Sequence, residues 1–219
     1  MNKIALITGA TSGIGKATAT KLAEIGYNLI ITGRRGDRLT ALEDELKAKG
    51  IQVLALQFDV RNQQEVHNAI SNLPAEWQNI DILVNNAGLA VGTSPIQDGI
   101  LDDWERMIDT NVRAVHILTK LAVRDFVQRG RGYILNVSSS AGFLPGPLMA
   151  TYYATKNYVL RLTEALREEL RRAGSPVRVC ALCPGPVDTE FNKVAGVRFS
   201  LSGLSAERVA REAVDGLFA

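Results

Sequence analysis

The chain has 219 residues at 23.8 kDa, is 46% hydrophobic and 22% charged, and carries two cysteines and a formal net charge of +2. That is the length of one large domain with a substantial core, so 1–219 is expected to be a single domain, and the composition excludes collagen-like, disordered and disulfide-scaffold classes. No apolar run reaches the ~18–20 residues of a membrane span, and Met1-Asn2-Lys3 leads into a run too short for a signal-peptide core, so a cytoplasmic protein with no membrane partner is expected.

The near-neutral total hides an asymmetry. Residues 1–110 carry ten Lys and Arg against fourteen Asp and Glu, and residues 111–219 fifteen against nine. The basic half alternates its charges, as in Arg167-Glu168-Glu169-Leu170-Arg171-Arg172. That is a solvated helix face laced with ion pairs, without the aromatic interleaving of a nucleic-acid binder.

Short apolar runs alternate with helical periods along the chain. Lys3–Thr8, Asn28–Thr32, Gln52–Phe58, Ile80–Asn85, Gly132–Ser138 and Val177–Cys183 read as strands bounded by Gly, Asn, Asp or Pro. Between them Ile14, Thr18, Leu22 and Ile25, then Leu39, Leu42 and Leu46, recur at helical spacing. Longer helices are expected over Asp102–Gln128 and Thr151–Arg172, and a last one over Ser205–Phe218 with Ser205 as N-cap. Strands without polar alternation, separated by helices, indicate a doubly wound α/β domain with a parallel, Rossmann-like sheet. No strand follows the last helix, so six strands are expected, with the edge of strand 6 exposed or covered by that helix or a partner chain.

The first strand runs through Thr8-Gly9-Ala10-Thr11-Ser12-Gly13-Ile14-Gly15 directly into a helix, the context a dinucleotide site requires. Gly9 permits a tight turn, Gly13 lets backbone approach a pyrophosphate, and Gly15 allows close helix–sheet packing. The exposed N–H groups and the helix dipole then favour phosphates.

With this turn the chain resembles the short-chain dehydrogenase/reductase family, whose fingerprint is Thr-Gly-x-x-x-Gly-x-Gly. The resemblance continues in order through Asn85-Asn86-Ala87-Gly88, Asn111, Ser138-Ser139, Tyr152-x-x-x-Lys156 and Pro184-Gly185-Pro186-Val187-Asp188-Thr189. It implies an enzyme moving a hydride between a nicotinamide and a secondary alcohol or ketone. Such a reduction leaves an alkoxide that needs a proton donor and hydrogen bonds aimed at the developing charge. Tyr152 and Lys156, four apart on a helix, share a face. Tyr152 is then the acid/base, and Lys156 lowers its pKa and holds the ribose. Ser139, at the C-terminal edge of strand 5, orients the substrate oxygen, and Asn111 holds a water linking Lys156 to solvent. Tyr153 competes with Tyr152, and Ser138 and Ser140 with Ser139; the family spacing favours Tyr152 and Ser139.

A reader of the ribose 2′-hydroxyl would place an acid after strand 2, where this chain has Thr32-Gly33-Arg34-Arg35. Arg34 can offer a bidentate guanidinium to a 2′-phosphate, Arg35 can stack on adenine or add charge, and Ser12 can reach the phosphate, so NADP(H) is expected over NAD(H). The resemblance adds Ile14, Asp59 and Val60 on the adenine and phosphate side. It puts Asn86, Ala87 and Gly88 beside the ribose and nicotinamide, and Pro184, Gly185, Val187 and Thr189 over the carboxamide. Cys180 and Cys183 fall on opposite faces of a strand and are expected to be buried, unpaired thiols; His67 and His116 are too scattered for a metal, so none is expected.

Leu73–Ala90 and Asp103–Asn111 are similar to a narrower group, the NADP-dependent 3-hydroxy acid dehydrogenases acting on serine and allo-threonine. The part from about Arg131 onward looks more like other reductases of the family, which suggests two halves of different descent. Family resemblance also implies a homodimer through the two long helices, whereas a tetramer does not follow from a chain lacking the family's seventh strand. The alternative function is an NADP(H)-binding regulator or scaffold on the same fold, which would have no need of Ser139, Tyr152, Lys156 and Asn111 together.

Overall fold

In a computed structural model that describes residues 3–196 and 202–219, every strand expected from the apolar runs forms; the second runs one residue beyond its expected end and the others are slightly shorter than their runs. They are β1 (Ile4–Ile7), β2 (Asn28–Gly33), β3 (Val53–Gln57), β4 (Ile82–Asn85), β5 (Tyr133–Val137) and β6 (Arg178–Leu182). All pair in parallel, in the order β3-β2-β1-β4-β5-β6, with Leu6 opposite both Ile30 and Leu83. The order reverses between β1 and β4, and the crevice at the carboxyl ends of those two strands is where such sheets bind ligands.

Side chains alternate across the sheet, so each strand serves two cores. Ala5, Ile7, Leu29 and Ile31 pack under α1 (Gly13–Glu24) and α2 (Gly36–Lys47). Ile4, Leu6, Ile30 and Leu83 pack on the opposite side with Val66 of α3 (Gln63–Ser71). The strands are apolar throughout because both faces are covered.

The expected helix over Asp102–Gln128 is not continuous. It divides into α4 (Leu101–Ile108), a π-helical turn at Asp109–Arg113, and α5 (Ala114–Arg129), which ends on Gly130 in the left-handed region at φ 65°. One residue inserted into the helical ladder produces such a turn, and π-turns concentrate at functional sites. Here it carries Asn111. α6 (Ala150–Arg172) follows the expected boundaries, and a short α7 (Glu190–Ala195), not anticipated from the pattern, follows β6.

The last helix, α8 (Ala206–Phe218), begins as expected: Ser205 accepts a hydrogen bond from the Arg208 N–H at 3.2 Å. Its apolar face, with Ala213, Val214 and Leu217, joins the core on the α1 side. α8 therefore covers a face of the sheet and not its edge; among the described residues β6 pairs only with β5. No described helix is long and apolar enough to cross a membrane.

Candidate active site

The crevice is built first by backbone. Gly9 and Gly13 take φ of +63° and +53°, which side-chain-bearing residues rarely adopt. A β-carbon on Gly9 would lie 2.9 Å from Ala87 Cα, and one on Gly15 only 2.4 Å from the Gly9 carbonyl. The turns after β1 and β4 are stitched together. Asn86 donates to the carbonyls of Thr8 and Gly9 at 2.9 Å, while the Thr8 hydroxyl accepts from the N–H groups of Asn86 and Ala87 at 3.0 Å. Ser12 is the N-cap of α1 but its side chain does not cap the helix, so the first-turn N–H groups have no side-chain acceptor there. Ile14 packs back against Val187 and Val209.

Tyr152 and Lys156 lie in the first two turns of α6. The Lys156 ammonium is buried, donates to the Val137 carbonyl at 2.9 Å, and sits 5.9 Å from the centre of the Tyr152 ring. Burial lowers its pKa to about 8. Gly88 leaves room beside it: a β-carbon there would stand 3.5 Å from Lys156 Nζ. The Tyr152 hydroxyl faces Ser139, whose hydroxyl accepts from the Ala141 N–H at 3.2 Å.

Burial raises the Tyr152 pKa, and the Ser139 hydroxyl opposes that rise in part. The expectation that Lys156 lowers the tyrosine is thus not met in the chain by itself, because loss of hydration outweighs the favourable contacts of the phenolate.

The neighbouring residues fall away as candidates. Tyr153 lays its ring over Gly146, where a β-carbon would come within 2.2 Å of it. Ser138 is turned to the helix side and donates to the Lys156 carbonyl at 2.8 Å, and Ser140 is exposed. The Asn111 side chain is held by protein groups. Its Oδ1 accepts from the Leu89 N–H at 2.8 Å, and its Nδ2 donates to the Leu89 carbonyl at 2.7 Å and the Thr155 hydroxyl at 3.0 Å. The side-chain amide therefore ties the π-turn to the loop after β4 and to α6.

The segment after β6 closes one side. The Ser140 N–H donates to the Pro184 carbonyl at 2.8 Å; Val187 is buried and bridges to Leu204; Thr189 lies over the glycine turn, 3.1 Å from where a Gly13 β-carbon would be. Gly185 has open space above it. Beside Tyr152, a pocket is lined by Val91, Ser94, Trp104, Met107 and Met149, so the loop after Leu144 contributes through Leu148 and Met149. Leu148 holds φ 66°, a strained value for a branched residue. Trp104 lies against Gly99 and also walls this pocket.

At the far end of the crevice the two arginines divide. Arg34 turns toward Asp59, with a nitrogen–oxygen separation of 3.8 Å. Arg35 donates to the hydroxyls of Thr11 and Ser12 at 3.0 and 3.1 Å. Gly33 is demanded by packing as well as chemistry, since a β-carbon would meet Thr11 Cγ2 at 2.8 Å. Asp59 is gripped by Arg61, with contacts of 2.6–3.1 Å that hold its carboxyl below the usual range despite burial, and Val60 is buried beneath.

Sequence reasoning passed over a buried polar bridge: Asn85 donates to Thr119 and Asn136, and Asn136 to Thr163 of α6, all at 2.9–3.0 Å. It joins β4, β5, α5 and α6 just below Lys156. Only the unbroken polar positions in otherwise apolar strands could have signalled it. The two thiols are unpaired but only half-buried, and burial pushes both upward in pKa. Cys183 lies against Ser138 and Ser139. Among the described residues no group of three His, Cys, Asp or Glu could hold a metal.

Residues 3–197 match the family model described as short chain dehydrogenase. The chain belongs to the short-chain dehydrogenase family. It is 44% identical over 192 residues to an NADP-dependent 3-hydroxy acid dehydrogenase, YdfG, of Salmonella typhi, covering 87% of this chain and 75% of that protein. The YdfG protein of Escherichia coli strain K12 is 41% identical over 212 residues, 96% of this chain and 82% of that protein. One relative thus spans both halves, which removes the ground for separate descent. Of solved structures, a closed serine dehydrogenase complexed with NADP+ superposes with TM-score 0.89 at 39% identity, covering 99% of this chain and 89% of that one. A short-chain dehydrogenase from Sphingobium yanoikuyae in complex with NADPH gives 0.88 at 34%, covering 98% and 84%. The chain is an oxidoreductase of this family.

Proposed function

We propose that this oxidoreductase uses NADP(H) to interconvert a secondary alcohol and a ketone, with 3-hydroxy acids among its substrates. The carrying observation is a Tyr152 hydroxyl facing Ser139 beside a buried Lys156, at one end of a crevice whose other end holds Arg35 over Thr11 and Ser12. The residues fit the dinucleotide: a glycine turn that admits no β-carbon, uncapped N–H groups at the start of α1, and a cation where a 2′-phosphate would sit. Relatives named as NADP-dependent and neighbours crystallised with NADP+ or NADPH support that cofactor.

When bound, the nicotinamide supplies or accepts the hydride. Tyr152 Oη gives its proton to the substrate oxygen in reduction, and burial, by keeping that hydroxyl protonated, suits it to the acid role. Ser139 Oγ hydrogen-bonds the same oxygen and steadies its developing charge. Lys156 stands behind Tyr152 as a cation whose lowered pKa lets it pass a proton near neutral pH. Both Asn111 amide protons are taken, so a water leading to Lys156 has the main-chain carbonyl or the spare Oδ1 lone pair to bind.

Gly9, Gly13, Ile14, Gly15, Ser12 and Arg35 form the phosphate side of the proposed site, with Arg34, Asp59 and Val60 toward adenine. Asn86, Ala87, Gly88, Pro184, Gly185, Val187 and Thr189 line the nicotinamide side. The reading includes a cytoplasmic homodimer formed through α4–α5 and α6, as family resemblance implies; light scattering that gives a strict monomer would remove the dimer. The test of function is NADPH consumption against ketones, β-keto acids and aldehydes. Turnover of at least one class is expected. Tight NADPH binding without turnover of any would reject the enzyme in favour of a cofactor-binding regulator.

A further inference from the structure

A cluster outside the proposed reaction centre has an unusual composition. Glu190, the first residue of α7, puts its carboxylate between two guanidiniums of the β2–α2 region. It accepts from Arg38 Nη1 at 2.8 Å through both oxygens and from Arg35 Nη1 at 3.1 Å. The other Arg35 terminal nitrogen donates to Thr11 and Ser12, whose hydroxyl protons remain free to donate in turn. The two guanidiniums hold the Glu190 carboxyl below the usual carboxylate range. The contact spans 152 to 155 positions of sequence and joins the start of α7 to Arg35 before α2 and Arg38 in its first turn.

Two guanidiniums meet on one carboxylate, and one of them also holds two hydroxyls, so the cluster offers more donors than a carboxylate can use and suits a tetrahedral dianion. All three charged side chains remain 41–49% exposed, so the internal anion is displaceable by a solute. We propose that Arg38 completes the receptor for the 2′-phosphate of NADP(H), and that Glu190 is an internal anion which occupies that receptor and must be displaced when the cofactor binds. This deepens and rests on the NADP(H) reading. Arg38 is thereby a cofactor-discriminating residue, and Glu190 an intramolecular competitor that ties α7 to α2 until the phosphate arrives. The competitor acts on 2′-phosphorylated nucleotides alone; a 2′-hydroxyl cannot supplant it.

Calorimetric titration with 2′,5′-ADP and with 5′-ADP tests this without turnover. The wild-type chain is expected to bind 2′,5′-ADP in preference to 5′-ADP. Glu190→Gln is expected to tighten 2′,5′-ADP about threefold and leave 5′-ADP unchanged, a size fitting the loss of one exposed competing carboxylate. Arg38→Gln is expected to weaken 2′,5′-ADP about tenfold, again sparing 5′-ADP, and to erase most of the Glu190→Gln effect. Equal or weaker 2′,5′-ADP binding by Glu190→Gln would overturn the competitor, and unchanged binding by Arg38→Gln would overturn the receptor, both with the NADP(H) reading intact. A wild-type chain indifferent to the 2′-phosphate would overturn that reading and this proposal together.

Discussion

The two ends of the crevice solve recognition by opposite physical means. At the Tyr152 end the functional groups are few and withdrawn from solvent: Lys156 is 5% exposed, Tyr152 is half-buried, and the Asn85–Asn136–Thr163 bridge locks α6 to the sheet from below. At the Arg35 end they are several and exposed, with Arg34, Arg35 and Arg38 each paired to a carboxylate in the surface. In low dielectric each group is individually costly to lose, because its partner is left unsatisfied. Exposed pairs are worth about 0–1 kcal/mol apiece and substitute for one another. The proposed function thus puts chemistry at the rigid end and cofactor choice at the adaptable one.

Mutations can break this contrast in a graded way. Tyr152→Phe removes the proposed proton donor and keeps the ring, so kcat is expected to fall by about 10³-fold or more in steady-state assays with NADPH. Ser139→Ala removes one hydrogen bond to the developing oxyanion; a fall of about 10²-fold is expected, visible in kcat more than KM. Arg35→Gln acts at the other end and is expected to raise the KM for NADPH about tenfold while leaving that for NADH nearly unchanged.

The smallest effect is on stability. Burial lowers the Lys156 pKa to about 8 from an ordinary value of 10.5, so between those values the unfolded chain binds more protons than the folded one. Stability owed to this residue is therefore lowest and flat below about pH 8 and rises as pH increases toward 10.5. Urea midpoints of the wild-type chain relative to Lys156→Met should climb between pH 7.5 and 9.5; a constant difference would show that the lysine titrates normally.

The same contrast governs what was legible in the sequence. The strands, the glycine turn and the Tyr152–Lys156 pair obey short-range rules, since each is a run, a triplet or a four-residue spacing that local backbone geometry imposes. The π-turn at Asp109–Arg113 escaped because inserting one residue into a helix leaves the surrounding apolar period almost intact. Asn85, Asn136, Thr119 and Thr163 meet only after two strands and two helices have packed. Glu190 and Arg38 meet across 152 positions with no pattern to announce them. The choice between Tyr152 and Tyr153 rested on family spacing, whereas in the fold Gly146 takes one ring and Ser139 the other hydroxyl. The pKa of Tyr152 was expected to fall on account of a nearby cation; burial, which spacing does not reveal, decides its direction.

The division of labour between the two ends is tested most directly by measuring NADPH dissociation constants and kcat side by side for Tyr152→Phe and Arg35→Gln. The predicted result is a crossed pattern: Tyr152→Phe loses kcat and keeps its NADPH affinity, while Arg35→Gln loses affinity and keeps kcat at saturating cofactor. If Tyr152→Phe retained kcat, or if both substitutions depressed the same parameter, the assignment of chemistry to the buried end and cofactor choice to the exposed end would be contradicted.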